Sequence, residues 1–344
     1  MPNIKTLQTS FAGGEVTPEL FGRIDDSKYQ SGLSVCRNFV VKPHGPAESR
    51  AGFEFVREVK DSTKEVRLIP FTYSTTQTMV LEFGNTYIRF HTQGATLLSG
   101  GSPYEVVTPY LEADLFDLHF VQSADVLTIV HPKYAPRELK RLGATSWTLS
   151  TISFGAPITA PGSVSAVASG HTTAKYTYSY CVTSVDSDGV GESVRSSASG
   201  ASGNLYETGG IVTISWGSVA GATLYNVYKL TGGLYGYIGQ TSGNSIVDDN
   251  ISPDLSKTPP TYETVFNATN AYPAAVSYFE QRRCFAGTIA KPQNIWMTKS
   301  GTESNMSYSL PIKDDDRISF RVAAREANTI RHIIPLTQLL LMTS

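Results

Sequence analysis

The sequence is poor in features that mark several common classes of protein. It has three cysteines in 344 residues, Cys36, Cys181 and Cys284. An odd number at wide spacing argues against a disulfide framework and favours free thiols in a reducing compartment. The opening stretch MPNIKTLQTSFAGG lacks the apolar core of a signal peptide. The longest apolar runs, such as IIPLTQLLLM, are too short to span a bilayer, so we expect no membrane segment.

An excess of positive charge is also missing. Lysine and arginine total 28 against 30 aspartates and glutamates, which gives a net charge of −2. The basic residues are scattered singly and form no stripe with interleaved aromatic residues. This distribution disfavours sequence-specific binding of nucleic acid.

Local motifs of enzymes and metal sites are absent as well. The six histidines do not approach ligand spacing with cysteine or carboxylates, and AGGEV at 12–16 lacks the lysine of a phosphate loop. No GxSxG motif is present. We interpret DSDG at 186–189 as a turn between strands and KDDDR at 313–317 as a solvated turn. The sequence therefore predicts a protein that is not an enzyme, with no catalytic, cofactor-binding or metal-binding residues and no cofactor.

Aromatic residues and turn formers are plentiful: 18 Tyr and 15 Phe accompany 29 Gly and 18 Pro. This composition suits many short strands. One pattern of apolar strand, polar break, apolar strand and proline turn occupies residues 118–142 and returns at 276–299. Residues 66–92 are predicted to form strands at 66–73, 77–83 and 86–92, with turns at STT and GN, and 330–343 resembles the start of this unit.

Repeated antiparallel units of this kind are typical of propeller blades. An ordinary β-sandwich with chance similarity between its hairpins is the alternative. The last unit is incomplete in the sequence, so we expect the chain to be a truncated form of a longer protein.

The first 65 residues mix turns with one helical signal. Asp25 or Asp26 is predicted to cap a short N-terminal helix. The apolar positions of this helix at helical spacing are Tyr29, Leu33, Cys36 and Val40. Cys36 is accordingly interpreted as a packed thiol, and AGFEFV at 51–56 is expected to be extended.

Residues 155–260 differ in their sequence pattern from the repeated units on either side. Clean alternation in YTYSYCV and VTISW, with turns between them, predicts a β-sandwich of about 100 residues. The predicted organisation is an arm and helix at 1–65, propeller-like blades at 66–154, an inserted sandwich at 155–260 and further blades at 261–344. The expected fold class is all-β.

The inserted segment resembles a fibronectin type III domain. VTISWGSVAGATLYNVYK is similar to that family's early strands, and YTYSYCVTSVDSDGVGESVRSS is similar to its last two strands, although here it comes first. The resemblance implies a permuted strand order and a sandwich core that includes Trp216, Tyr225 and Tyr178. In the loop LTGGLYGYIG (230–239), Tyr235 and Tyr237 are candidate contacts for a glycan or protein partner, with an ordinary hairpin as the alternative.

Three further stretches resemble the nozzle, or tail-tubular-protein-B, family of short-tailed bacteriophages and prophages. They are SFAGGEVTPELFGRIDDSKYQSGLSVCRNFVVKPHGPAESRAGFEFV, YPAAVSYFEQRRCFAGTIAKPQNIWMTKSG and DDDRISFRVAAREANTIRHIIPL. The resemblance implies a structural virion protein of the phage tail, made in the bacterial host cytoplasm, that forms a hexameric ring. Its expected partners are copies of itself, the portal, adaptor and tail-fibre proteins, and genomic DNA that passes through the lumen without specific contacts.

Two other functions compete with this interpretation. The fibronectin-like insertion suits a binding module for a host-surface glycan or a tail fibre. A polysaccharide-degrading tail enzyme would need two carboxylates that face each other across a cleft, assembled from distant strands.

Overall fold

The computed structural model describes residues 7–74, 77–187, 189, 191–323, 325–326 and 328–344. It confirms the predicted all-β class, with antiparallel pairing in nearly every sheet. The chain divides into two compact units, residues 1–57 and 58–344. The finer boundaries at residues 65, 154 and 260 stay predictions.

The first unit contains very short elements. Its strands are β1 (Gly14–Glu15), β2 (Gly32–Leu33), β3 (Phe39–Val41) and β4 (Ala47–Ser49), with a 3₁₀ turn at Pro18–Leu20 and helix α1 at Ser27–Gln30. β1 pairs with β2 in parallel, and β3 pairs with β4 in antiparallel fashion. Among the described residues of this unit only Gly45 is buried, so the unit has no apolar core of its own.

The predicted N-terminal helix is present but much shorter than the helical spacing suggested. The side chain of Asp26 caps it, because Oδ1 accepts a hydrogen bond from the backbone N–H of Lys28 at 2.9 Å. Leu33 and Val40 instead belong to β2 and β3, and Cys36 lies partly exposed in a loop, so the extended helix and its packed thiol were wrong. A helix of this length needs tertiary packing of its apolar face, and this unit offers no such surface.

The second unit begins with two antiparallel sheets. The first contains β5 (Arg67–Thr72), β6 (Thr78–Gly84), β7 (Tyr87–Thr92), β8 (Ala95–Thr96) and β11 (Glu105–Val107), while β9 (Leu98–Ser99) and β10 (Ser102–Pro103) form a small hairpin. A 3₁₀ helix at Glu112–Asp117 leads to the second sheet, β12 (His119–Ser123), β13 (Val126–His131), β14 (Tyr134–Gly143) and β15 (Ser146–Thr151). The predicted strands of both regions are confirmed; Thr75 and Thr76 of the predicted STT turn lie outside the described residues.

The third sheet and a final hairpin follow the insertion. The strands are β23 (Thr261–Tyr262), β24 (Pro273–Phe279), β25 (Arg282–Thr288), β26 (Asn294–Met297), β27 (Ser307–Tyr308), β28 (Ile318–Arg321), β29 (Ile330–Pro335) and β30 (Leu339–Thr343). β24, β25, β26 and β28 form a four-stranded sheet, and β29 pairs with β30 alone. No sheet among the described residues closes into a barrel, and the propeller arrangement stays a prediction.

The repeat that the sequence suggested has a counterpart in the turns. Ser123 pairs with Val126 in the second sheet, and Phe279 pairs with Arg282 in the third. In both cases the first hairpin closes through a two-residue turn; Ala124 has a positive φ in one, and both Glu280 and Gln281 have a positive φ in the other. The two connections therefore share their length but not their backbone conformation.

Between the second and third sheets lies the predicted sandwich. Its strands are β16 (Ser165–Ser169), β17 (Tyr176–Asp186), β18 (Ser199–Gly203), β19 (Ile211–Ser215), β20 (Ala222–Thr231), β21 (Leu234–Thr241) and β22 (Ser245–Asp248). One sheet has the order β16-β19-β22 and the other β18-β17-β20-β21. In the second of these sheets β17 and β18 come earlier in the chain than β20 and β21, which lie beside them. The permuted fibronectin-like order stays a prediction.

Consecutive sheets of the second unit share apolar cores. One core joins the first and second sheets through side chains such as Phe71 and Trp147, and another joins the second and third through Val130 and Phe285. A further core joins the third sheet to the β29–β30 hairpin. There the approach is so close that a Cβ at Gly287, whose φ is +68°, would lie 2.2 Å from a backbone oxygen of the hairpin.

A buried arginine links the second and third sheets. Arg283 of β25 is fully buried, and its Nη1 donates to Oε1 of Glu138 on β14 at 2.6 Å. The same guanidinium donates to the Tyr278 hydroxyl at 3.0 and 3.1 Å and pairs with Glu303. Burial raises the pKa of Glu138, but hydrogen bonds from Lys140 and Arg283 outweigh this effect and hold the pKa below its usual value.

We expect Arg283→Ala to lower the free energy of unfolding by about 3–5 kcal/mol, because Glu138 would remain largely buried without its buried partner. The matched control is Lys140→Gln, which removes the exposed partner of the same carboxylate and should cost about 1 kcal/mol or less. Urea unfolding of the full chain measures both. Equal effects of the two substitutions would show that the buried contact does not stabilise the packing of the first, second and third sheets, called here the stack.

Candidate functional site

The structure places the predicted sandwich core as follows. Trp216 and Tyr225 are buried, with ring centroids 5.5 Å apart, and Tyr178 packs partly buried against the same cluster. The Tyr225 hydroxyl accepts a hydrogen bond from the backbone of Val219 at 2.9 Å. These aromatic side chains fill the space between the two sheets.

Tyr235 and Tyr237 lie on β21, but the structure gives them different surroundings. The backbone N–H of Tyr237 donates to the backbone oxygens of Asp254 and Lys257 at 3.1 and 3.0 Å, and Lys257 Nζ lies 5.3 Å from its ring centre. The backbone of Tyr237 is thus bonded to the segment that leaves the sandwich, while its side chain, like that of Tyr235, is partly exposed. Tyr235 lines an open groove, and Tyr237 is not among the described residues of its lining.

This groove, called here the Tyr235 groove, has a volume of about 430 Å³. Residues 194–195 and 233–235 of the sandwich form one wall, and residues 258–262 with Leu310 form the other. It therefore lies where the sandwich meets the third sheet and its neighbouring segments. Clefts of several hundred cubic ångströms between structural modules are common places for ligands.

Hydrogen bonds fix both walls of the Tyr235 groove. The Tyr235 hydroxyl lies 3.1 Å from Ser179 Oγ, and the Tyr262 hydroxyl donates to the backbone oxygen of Glu192 at 2.6 Å. The backbone N–H of Leu310 donates to Thr258 Oγ1 at 3.0 Å. Because the polar ends of both tyrosines are already bonded to protein, their rings are held in place without a ligand.

Arg195 supplies the charge of the groove. Its guanidinium carbon lies 5.1 Å from the centre of the Tyr235 ring. Among the described lining residues it is the one charged side chain, and no carboxylate within the described part of the chain pairs with it. An arginine over an aromatic ring with a free guanidinium edge is suited to bind a carboxylate.

Of the residues that line the groove, the sequence analysis named Tyr235 as a candidate contact but not Arg195 or Tyr262. Tyr262 lies in the stretch PDLSKTPPTYE, the segment that leaves the sandwich. The paired prolines, which break regular structure, were the available signal that this segment forms a fixed wall.

The KDDDR loop is only partly the solvated turn that the sequence predicted. Asp314 and Asp315 are exposed, but Asp316 is buried. Its Oδ2 accepts hydrogen bonds from Ser309 Oγ at 2.7 Å and from the backbone of Lys313 at 2.9 Å. Burial works to raise the pKa of Asp316, yet these hydrogen bonds prevail and lower it. The inward turn of one acid closes the loop and leaves no facing carboxylate pair there.

A second buried polar cluster lies in the sandwich. Asp248 accepts a hydrogen bond from the Tyr180 hydroxyl at 2.7 Å and pairs with Lys229 Nζ at 2.8 Å. Its other oxygen accepts from the backbone N–H groups of Asn250 and Ile251. Every acceptor of this carboxylate is used to hold β17, β20 and the end of β22 together.

Two histidine rings from different sheets of the second unit lie close together. The ring centres of His119 on β12 and His332 on β29 are 4.8 Å apart. Burial is the main cause that lowers the pKa of His119 to about 4, and electrostatic interactions with His332 and Arg67 lower it further. Asp117 opposes this shift, and His131 adds to it weakly.

In the part of the chain that the structure describes, no group of three or more His, Cys, Asp or Glu side chains could hold a metal ion. Within the same residues, no helix has the length and apolarity to cross a membrane. In comparisons with known proteins, no protein family and no curated protein matches this chain.

The histidine contact predicts a pH dependence of stability. An unfolded histidine has a pKa of about 6.5, so the unfolded chain takes up a proton before His119 does as the pH falls. The contribution of His119 is complete above pH 6.5 and is lost between about 6.5 and 4, by about 1–2 kcal/mol for a partly solvated ring.

We expect His119→Gln to reduce the loss of stability between pH 7 and pH 4.5. His44→Gln, which removes an exposed histidine, should leave that loss unchanged. Urea unfolding of the three proteins at both pH values is the measurement. If His119→Gln does not alter the change in the free energy of unfolding between the two pH values, the group responsible for the pH dependence lies elsewhere.

Proposed function

We propose that this chain is a structural virion protein of a bacteriophage tail, a nozzle or tubular hub that forms part of the conduit for DNA. The observation that carries the proposal is the apolar surface of the first unit. Leu7, Ile24, Phe53 and Phe55 are 87%, 73%, 88% and 78% exposed. So many exposed apolar side chains on a unit without a core indicate a surface that another protein covers.

A cleft in the first unit supports the same interpretation. It has a volume of about 840 Å³ and is lined by apolar side chains that include Leu7, Phe21 and Ile24, with no charged residue among the described lining. A ring built from head-to-tail contacts needs two different adhesive surfaces on each copy. The first unit is suited to supply one of them.

In this proposal the second unit forms the wall of the tube through which DNA passes. Its consecutive sheets act as propeller-like blades that share cores. The near-neutral net charge of −2 also fits a conduit. Lysine and arginine side chains that neutralise phosphates add affinity for DNA, and this affinity would slow its passage.

A second candidate function is a binding module that acts through the insertion. The Tyr235 groove favours it, because it is a cleft whose described lining contains two aromatic side chains and an arginine that pairs with no described carboxylate. The two functions are compatible if the insertion projects from the outside of a tube.

Deletion of residues 1–25 should give a folded monomer, because it removes Leu7, Phe21 and Ile24 from the first unit while the second unit forms a compact body by itself. The full chain should form a discrete ring several times the 37.3 kDa of one copy. Light scattering over a concentration series, with negative-stain images, measures both. The thermal unfolding of the second unit serves as the control for folding.

Rings formed by the deleted chain would contradict the role of the first unit. A full chain that stays monomeric at all concentrations would contradict ring formation by this chain alone and would favour the binding module.

A further inference from the structure

We propose that the Tyr235 groove binds a saccharide that carries a carboxylate, with Arg195 as the anion partner. This inference rests on the second candidate function and names its ligand class. The starting point is the chemistry of the groove, which combines a single cation with apolar and aromatic walls.

The cation sets the charge of the ligand. Arg195 is exposed and makes no ion pair with a described residue, and its guanidinium carbon lies 5.1 Å from the centre of the Tyr235 ring. A guanidinium binds a carboxylate through two parallel hydrogen bonds. One positive group suits one carboxylate and suits a polyphosphate chain poorly.

The walls set the shape of the ligand. Tyr235, Tyr262 and the pair Pro259–Pro260 present ring surfaces, while both tyrosine hydroxyls are bonded to protein. Flat C–H surfaces of a pyranose pack well on aromatic and proline rings. The volume of about 430 Å³ is at the scale of a small ligand rather than a folded partner.

The backbone disfavours an extended peptide as the occupant. An extended peptide that binds by strand addition needs a free sheet edge. The outer edge of β21 is already occupied beside the groove, because Tyr237 exchanges backbone hydrogen bonds with Asp254 at 3.1 and 2.8 Å. Recognition in the groove therefore relies on side-chain surfaces, which suits a sugar.

Calorimetry on the full chain tests this inference with defined probes. The acidic probes are a hyaluronan hexasaccharide and hexagalacturonate, each compared with its carboxyl-reduced form, and the peptide probe is a Glu-Tyr hexapeptide. We expect an acidic saccharide to bind, and its reduced form and Arg195→Gln each to weaken binding by about ten- to a hundredfold. Tyr235→Ala should weaken binding by about three- to tenfold.

Matched controls exist on the same sandwich. Lys175→Gln removes one positive charge elsewhere, and Tyr206→Ala removes a tyrosine that is 72% exposed; neither should change the affinity more than about twofold. Absence of binding to both acidic saccharides overturns the inference. So does equal affinity for the reduced forms, an unchanged affinity of Arg195→Gln, or Arg195-dependent binding of the peptide alone.

These outcomes are separate from those of the assembly experiment. Loss of saccharide binding leaves the mass of the ring unaffected, and a monomeric chain retains the groove within its second unit. Failure of the ligand inference therefore does not imply failure of the tail-protein proposal.

Discussion

The second unit depends on the need to cover both faces of small antiparallel sheets. A sheet of four strands has two faces, and water on an apolar face costs free energy in proportion to its area. The second sheet meets this need by sharing one core with the first sheet and another with the third, and the third also packs on the last hairpin. The insertion does not interrupt this order, because Phe154 before it and Phe266 after it pack 5.0 Å apart in one core.

Apolar burial alone does not determine which sheets meet or in which register. The contact of Arg283 with Glu138 adds that selectivity, because a displaced neighbour would remove one of the two carboxylates that pair with a fully buried guanidinium. Buried ion pairs often contribute little net stability relative to apolar side chains, while a mispaired one is strongly unfavourable. We therefore assign this contact a role in specifying the arrangement of the second and third sheets, two segments far apart in the chain.

Much of the strand pattern was predictable because alternation of side chains is a local property. Val126–His131 and Arg282–Thr288 could be located from their own residues and the turns before them. The N-terminal helix failed because helical spacing carries no information about whether a surface exists to bury the stripe. Asp316 could not be distinguished from Asp314 and Asp315, since only the loop geometry turns one of three adjacent acids inward. Arg195 and Tyr262 meet in the groove only through the fold, so neither could be assigned from spacing.

The position of the groove connects the two candidate functions. The sandwich enters and leaves the stack at one core, and the Tyr262–Glu192 hydrogen bond holds its exit segment against the insertion. A ligand in the groove would contact the sandwich through Arg195 and the exit segment through Pro259 and Pro260 at the same time. Binding there would stiffen the connection between the insertion and the stack, because each contact adds to the bonds that already join them. A tail component that must hold a surface ligand while its stack remains intact would benefit from a site at this connection rather than at the far end of the sandwich.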